Sequence, residues 1–116
     1  MIDALSIANH YFDLSNDGNL SEIKKLFTAS STYSSDSAGI FLGAEQIMEM
    51  QQAFFNQYES LNWKVNSRSE VKTGIVLFDF TFSGTPYEGQ NLVRHGFEYI
   101  VVYEGRIQHI DVRSKS

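Results

Sequence analysis

The chain has no cysteine and only one proline. Without cysteine there is no disulfide framework, no thiol nucleophile and no thiolate metal site. Positive charge is also scarce: nine Lys and Arg against fourteen Asp and Glu leave a formal net charge of −5. No window concentrates the cations that a phosphate backbone or an anionic lipid surface needs, so neither nucleic acid nor membrane is an expected partner. No apolar run approaches the length that spans a bilayer. The opening residues, MIDALSIANHYFDLSNDG, carry an early acid and no basic segment, unlike a secretory leader, so a cytoplasmic location is expected. Three further signatures are missing: G-x-S-x-G, H-E-x-x-H and a phosphate-cradling glycine loop. The histidines, His10, His95 and His109, fall on separate elements without metal-ligand spacing, and no metal or other cofactor is expected.

What the chain does have is aromatic side chains: nine Phe, six Tyr and one Trp. Large flat groups in a small chain suit a roomy core, an apolar cavity or an aromatic-rich interface. With 42% hydrophobic and 20% charged residues, the 116 positions have an ordinary globular balance. Residues 1–116 are expected to form one domain around one core.

Hydrophobic spacing divides the chain in two. Residues 3–16 read as a helix, with Ala4, Leu5, Ile7, Ala8, Tyr11, Phe12 and Leu14 on one face. Asn16-Asp17-Gly18 ends it, and Asn19 with Glu22 makes a capping pattern for a short second helix through Phe27. Gly43 opens a third helix, to about Tyr58, that groups Ile47, Met50, Phe54, Phe55 and Tyr58; Gln51 falls inside that apolar arc and needs a partner if buried. From Leu61 the period becomes two, through Leu61-Trp63-Val65, Phe78-Phe80-Phe82, Asn91 to Tyr103 and Ile107 to Arg113. Four strands with short connections predict an antiparallel meander. Three helices followed by a sheet, without βαβ alternation, predict an α+β fold with the helices on one sheet face.

Between the second and third helices lies SSTYSSDSAG, Ser30 to Gly39, a run of small hydroxylated residues around one Tyr and one Asp. It suits a surface loop or a pocket lip. The succession around it is informative: an aromatic-bearing first helix, D-G-N-L, a short helix ending L-F, a short strand, F-L-G opening a helix with I and F-F, and a sheet closing on E-G-R-I-Q-H-I-D-V. That succession resembles the NTF2-like superfamily, particularly its SnoaL-like and ketosteroid-isomerase-like branch, over nearly the whole chain. The resemblance implies a cone: three N-terminal helices packed on a curved, mainly antiparallel sheet, with an apolar pocket between them and a homodimer through the convex face. It implies a hydrophobic small molecule as partner. Fold does not choose among the isomerases, cyclases, carriers and association domains that share the cone.

The resemblance also suggests site residues. Ketosteroid-isomerase-like enzymes carry a tyrosine seven residues before the helix-breaking glycine, and Tyr11 stands so before Gly18. Their base lies eight residues after the F that closes the second helix; from Phe27 that is Ser35, with Asp36 beside it. Their second acid corresponds to Glu98. In such a site a buried acid and a tyrosine stabilise a developing enolate. Asp36 then reads either as a general base or as an ordinary turn residue, since a shift of one position reverses a strand side chain. Glu98 is either a buried acid of raised pKa or the salt-bridge partner of Arg94 on its own strand face. Tyr11 is either a donor to substrate or a core tyrosine. Ser35, Gln51, Phe54, Phe55, Trp63, Phe80, Phe82 and Ile110 are the expected pocket residues. Two functions stay open: proton transfer on a hydrophobic carbonyl compound, and non-catalytic ligand binding or association.

Overall fold

A computed structural model describes residues 3–115. The first helix, α1 (Ala4–Asp17), starts where the Asp3 carboxylate accepts from the Ser6 N–H at 2.8 Å. It stops at Gly18, whose φ of +69° lets its N–H close on the Leu14 and Ser15 carbonyls. The helix buries Ile7, Ala8, Tyr11, Phe12 and Leu14, the face set by its apolar spacing. The second helix, α2 (Leu20–Lys24), is capped by Asn19 and buries Ile23. It is shorter than its apolar stripe suggests: Phe27 is already the first residue of a strand.

That strand, β1 (Phe27–Ser35), and its hairpin partner β2 (Gly39–Leu42) precede the third helix, α3 (Gly43–Phe55). The expectation of three helices followed by a sheet is therefore corrected, because two strands stand between α2 and α3. Four long strands follow: β3 (Tyr58–Lys72), β4 (Ile75–Pro86), β5 (Leu92–Tyr103) and β6 (Arg106–Ser114). Tyr58, placed by its spacing at the end of the third helix, opens β3 instead. The curved sheet is six-stranded, in the order β2-β1-β6-β5-β4-β3. It is antiparallel except for β1 beside β6, so the four-strand meander becomes a mixed sheet with a returning edge.

The short strand that the resemblance implies here is β1, nine residues of small and mostly polar composition. Its burial follows no simple alternation: only Phe27 and Ser31 are fully enclosed, and its register against β6 slips between Phe27 and Thr32. The Ser31 hydroxyl spans the slip, accepting from the Thr28 N–H at 2.8 Å and donating to the Ile107 carbonyl at 2.6 Å. On the outer face of the sheet, Thr32 meets His109 Nδ1 at 2.7 Å and Ser34 donates to Asp111 at 2.8 Å. These cross-strand polar pairs do in β1 what apolar pairs do elsewhere in the sheet.

The helices cover one sheet face. Val76 and Phe78 of β4, Ile100 of β5, and Ile107 and Ile110 of β6 are completely enclosed against Ile7, Phe12, Ile23, Phe27 and Ile47. Each such side chain contributes about 1.5–3 kcal/mol relative to exposure. No described helix is long and apolar enough to cross a membrane.

Candidate functional site

The core fills only part of the space between the helices and the sheet. Beyond it lies a cavity of about 340 Å³, bounded by α1, α3, the concave face of β3 to β6 and the β1–β2 turn. Register explains its position. Phe78, Phe80 and Phe82 share one face of β4, and their partners across the ladder are Glu98, Gly96 and Arg94 of β5. Phe78 belongs to the core, while Phe80, Phe82, Arg94 and Glu98 reach the cavity.

Glu98 is the chemically distinctive group. Its side chain stands between Phe78 on one neighbouring strand and Val112 on the other, and the residue is only 4% exposed. Its Oε2 is buried with no hydrogen-bond partner among the described residues. Charge is penalised in such surroundings, and burial pushes the carboxyl up to about 8. No ion pair joins it to Arg94 among the described residues.

Two tyrosines share this end of the cavity. Tyr11 comes from the buried face of α1, and its hydroxyl accepts from Gln51 Nε2 of α3 at 2.9 Å. That bond leaves the tyrosine proton available as a donor. Burial first, and the nearby Glu98 and Tyr33 groups next, hold Tyr11 well above the usual phenol range. Tyr33 of β1 is raised for the same reasons, burial and then Glu98. Both phenols therefore stay protonated. Gln51 is only half satisfied: its Nε2 is used, but its Oε1 is buried without a partner among the described residues. An unpartnered acceptor and an unpartnered carboxyl oxygen in one cavity are the polar fixtures of a binding site.

The other end is aromatic. Trp63 of β3 lies 5.0 Å from Phe82, 5.7 Å from Phe55 and 6.0 Å from Phe54, ring centre to ring centre. Tyr58 stands 5.4 Å from Phe82. β3 is an edge strand, so some of its backbone groups lack a strand partner. Asn16, at the end of α1, satisfies two of them: its Oδ1 accepts from the Trp63 N–H at 2.6 Å and its Nδ2 donates to the Trp63 carbonyl at 2.9 Å. This ties the indole's backbone to the helix that carries Tyr11.

Of the residues singled out by sequence, Tyr11, Glu98, Ser35, Gln51, Phe54, Phe55, Trp63, Phe80 and Phe82 all line the cavity. Two do not. Asp36 sits in the β1–β2 turn, exposed, with its carboxylate accepting from the Ser114 N–H at 2.8 Å and the Ser114 hydroxyl at 3.2 Å. The base position of the resemblance thus belongs to Ser35, which faces inward, and strand alternation carries Asp36 away. Ile110 is fully enclosed in the core, packed away from the cavity. Sequence reasoning passed over Tyr33, Tyr58 and Met50 as lining residues. Tyr33 could have been found by counting back two positions from Ser35 along the short strand that the resemblance implies.

Comparison with known proteins agrees with this architecture. A family model described as a SnoaL-like domain matches residues 8–110. Among solved structures, a protein assigned as a SnoaL-like polyketide cyclase from Shewanella denitrificans superposes with a TM-score of 0.83 at 10% identity, covering 97% of this chain and 90% of that one. A protein with a ketosteroid-isomerase-like fold from Catenulispora acidiphila, in complex with trimethylamine, gives a TM-score of 0.82 at 15% identity, covering 91% and 82%. TerC, co-crystallised with polyporic acid, gives 0.83 at 11% identity, covering 97% and 91%. At such identities the likeness is one of fold. No curated protein sequence matches the chain.

Proposed function

The chain belongs to the SnoaL-like domain family, and from that premise we propose that it binds a hydrophobic carbonyl compound in this cavity and moves a proton on it. Glu98 is the acid–base group, and Tyr11 is the hydrogen-bond donor to the carbonyl oxygen. The observation that carries the reading is the unpartnered Glu98 carboxyl, buried and pushed up to about 8 at the inner end of an aromatic cavity.

The step balances within the site. Ionised Glu98 takes the proton from the carbon next to the carbonyl, and the C–H electron pair moves into the carbonyl, placing negative charge on its oxygen. The Tyr11 hydroxyl, oriented by Gln51, donates to that oxygen. The proton now on Glu98 returns to the same carbon or to a conjugated one. A group that titrates near the working pH suits both halves of the exchange.

In the same proposal residues 1–116 form one cone-shaped domain in the cytoplasm. Two copies pair through the outer sheet face, which exposes Val93 and Phe97. The second reading, a carrier that holds the same ligand unchanged, is favoured by the position of Asp36 outside the cavity.

Deuterium uptake by 2-tetralone in D2O, followed by mass spectrometry, separates the two. The proton-transfer reading expects the protein to accelerate exchange above buffer and Glu98→Gln to return it to the buffer rate. Quenching of Trp63, the only tryptophan, reports binding independently. Quenching without faster exchange would leave the carrier.

A further inference from the structure

The face of β5 that carries Glu98 has a second polar side chain at its other end. Residues 94, 96 and 98 alternate onto the concave surface, opposite Phe82, Phe80 and Phe78. Four residues of antiparallel strand separate Arg94 from Glu98, about 13 Å along the chain. Between them β4 and β5 place no polar side chain on this surface, and Ser114 of β6, the ladder partner of Gly96, has its hydroxyl bonded to Asp36 at 3.2 Å. Gly96 has no side chain, and the Phe80 ring lies over it so closely that a Cβ there would stand 2.7 Å from Phe80 Cζ. Along β4 and β5 the cavity floor is thus apolar in the middle and polar at two poles.

The poles differ in kind. Glu98 is enclosed and unpartnered, whereas Arg94 is exposed, and an arginine keeps its charge at any ordinary pH. Arg94 is the one Lys or Arg on the cavity lining among the described residues. Arg113 is bonded to Asp111 at 2.9 Å and Arg68 to Asn9 at 2.7 Å, but the Arg94 guanidinium has no ion pair or side-chain hydrogen bond among the described residues. In a chain with a net charge of −5, an arginine beside an aromatic cavity with no partner among the described residues selects for an anion and against a cation.

We propose that Arg94 is the anion-recognising end of the cavity and that the ligand is an elongated apolar acid, with its carboxylate on Arg94 and its carbonyl or hydroxyl end at Glu98. This rests on the reading of the cavity as the ligand site and names the class of molecule that enters it. A carboxylate is the group whose paired oxygens match the guanidinium fork. The reverse orientation would press a carboxylate against the buried Glu98 carboxyl, where no cation compensates it. The rings of Trp63, Phe80 and Phe82 suit a flat body between the two ends.

The test uses a probe of matching length, 4′-hydroxybiphenyl-4-carboxylate, and its neutral 4-carboxamide, titrated by calorimetry. The expected result is that the carboxylate binds the native protein about tenfold more tightly than the amide, an advantage that shrinks as salt is raised. Arg94→Gln should abolish that preference and leave the amide affinity within about twofold, while Arg94→Lys should keep part of it. Equal binding of the two probes to the native protein would overturn the Arg94 assignment and leave the cavity as the ligand site. Loss of both affinities in Arg94→Gln would also overturn it, since the residue would then be supporting the cavity's shape. If neither probe binds at millimolar concentration, the cavity reading itself falls and takes this one with it.

Discussion

The Ser114 N–H and hydroxyl both donate to the Asp36 carboxylate, and the Asp36 N–H returns a bond to the Val112 carbonyl at 3.3 Å. Three bonds therefore hold the β1–β2 turn against the end of β6, next to Ser35, Ser37 and Ala38 on the cavity lining. Asp36 is a clasp. Its replacement by Ala removes the two side-chain bonds and should lower stability by about 1–3 kcal/mol in urea titration, the usual net worth of two lost hydrogen bonds. Exchange catalysis should fall by no more than about threefold, where loss of a true base costs about a hundredfold or more. A hundredfold fall would return Asp36 to the chemistry.

Glu98 should make stability depend on pH with a definite sign. Its ordinary value is 4.5, and in the fold burial pushes it up to about 8. Between these values the folded protein holds a proton that the unfolded chain has released. Stability contributed by this group is therefore full below about 4.5, falls as pH rises, and is lost above about 8. The slope is at most about 1.4 kcal/mol per pH unit. Glu98→Gln, which keeps the shape without the charge, should flatten that part of the profile. The comparison is of urea midpoints for both proteins between pH 5 and pH 9, roughly the span of the raised titration.

The same titration governs the proposed reaction. Only ionised Glu98 can accept a proton from carbon, so the exchange rate at saturating 2-tetralone should rise with pH and level off above about 8. A rate that falls through this range would assign Glu98 the role of proton donor instead.

Tyr11→Phe should act on both stability and catalysis. It removes the acceptor of the Gln51 Nε2 bond and leaves both polar ends of that buried amide unpartnered. The expected cost is about 1–3 kcal/mol in thermal or urea unfolding. The exchange rate should also drop by about a hundredfold, as when one donor to a developing oxyanion is removed. A stability loss with unchanged exchange would make Tyr11 a core tyrosine only.

Ile110→Ala tests the border between core and cavity. The side chain is fully enclosed among the helices and the neighbouring strands, so truncation should cost about 2–5 kcal/mol. Ligand affinity, corrected for the unfolded fraction, should be unchanged. A large change in affinity at full folding would place Ile110 on the binding surface.

Much of this was legible in one dimension. The apolar spacing of α1, the Gly18 stop, the Asn19 cap and the alternation of Phe78, Phe80 and Phe82 each follow from local rules, and the structure has them where those rules put them. Gln51 stood out as a polar group on an apolar face, and Tyr11 and Glu98 through the family resemblance. β1 was implied by the family resemblance and not by its own spacing. Its serines and threonines have little preference for a strand by themselves, and their partners, His109 and Asp111, lie 77 residues away.

Local spacing carries which faces are apolar and where the first helix starts and stops, because those properties depend on neighbours a few residues apart; it leaves Glu98 open between a buried acid and an ion-pair partner of Arg94. Only long-range pairing places Ser35 inward and Asp36 outward, encloses Glu98 with no ion pair to Arg94 among the described residues, and sets Arg94 at the far end of an aromatic floor. Each of these depends on strand register and on pairs distant along the chain. A register change of one residue, invisible in composition, exchanges the inside of a sheet for its outside.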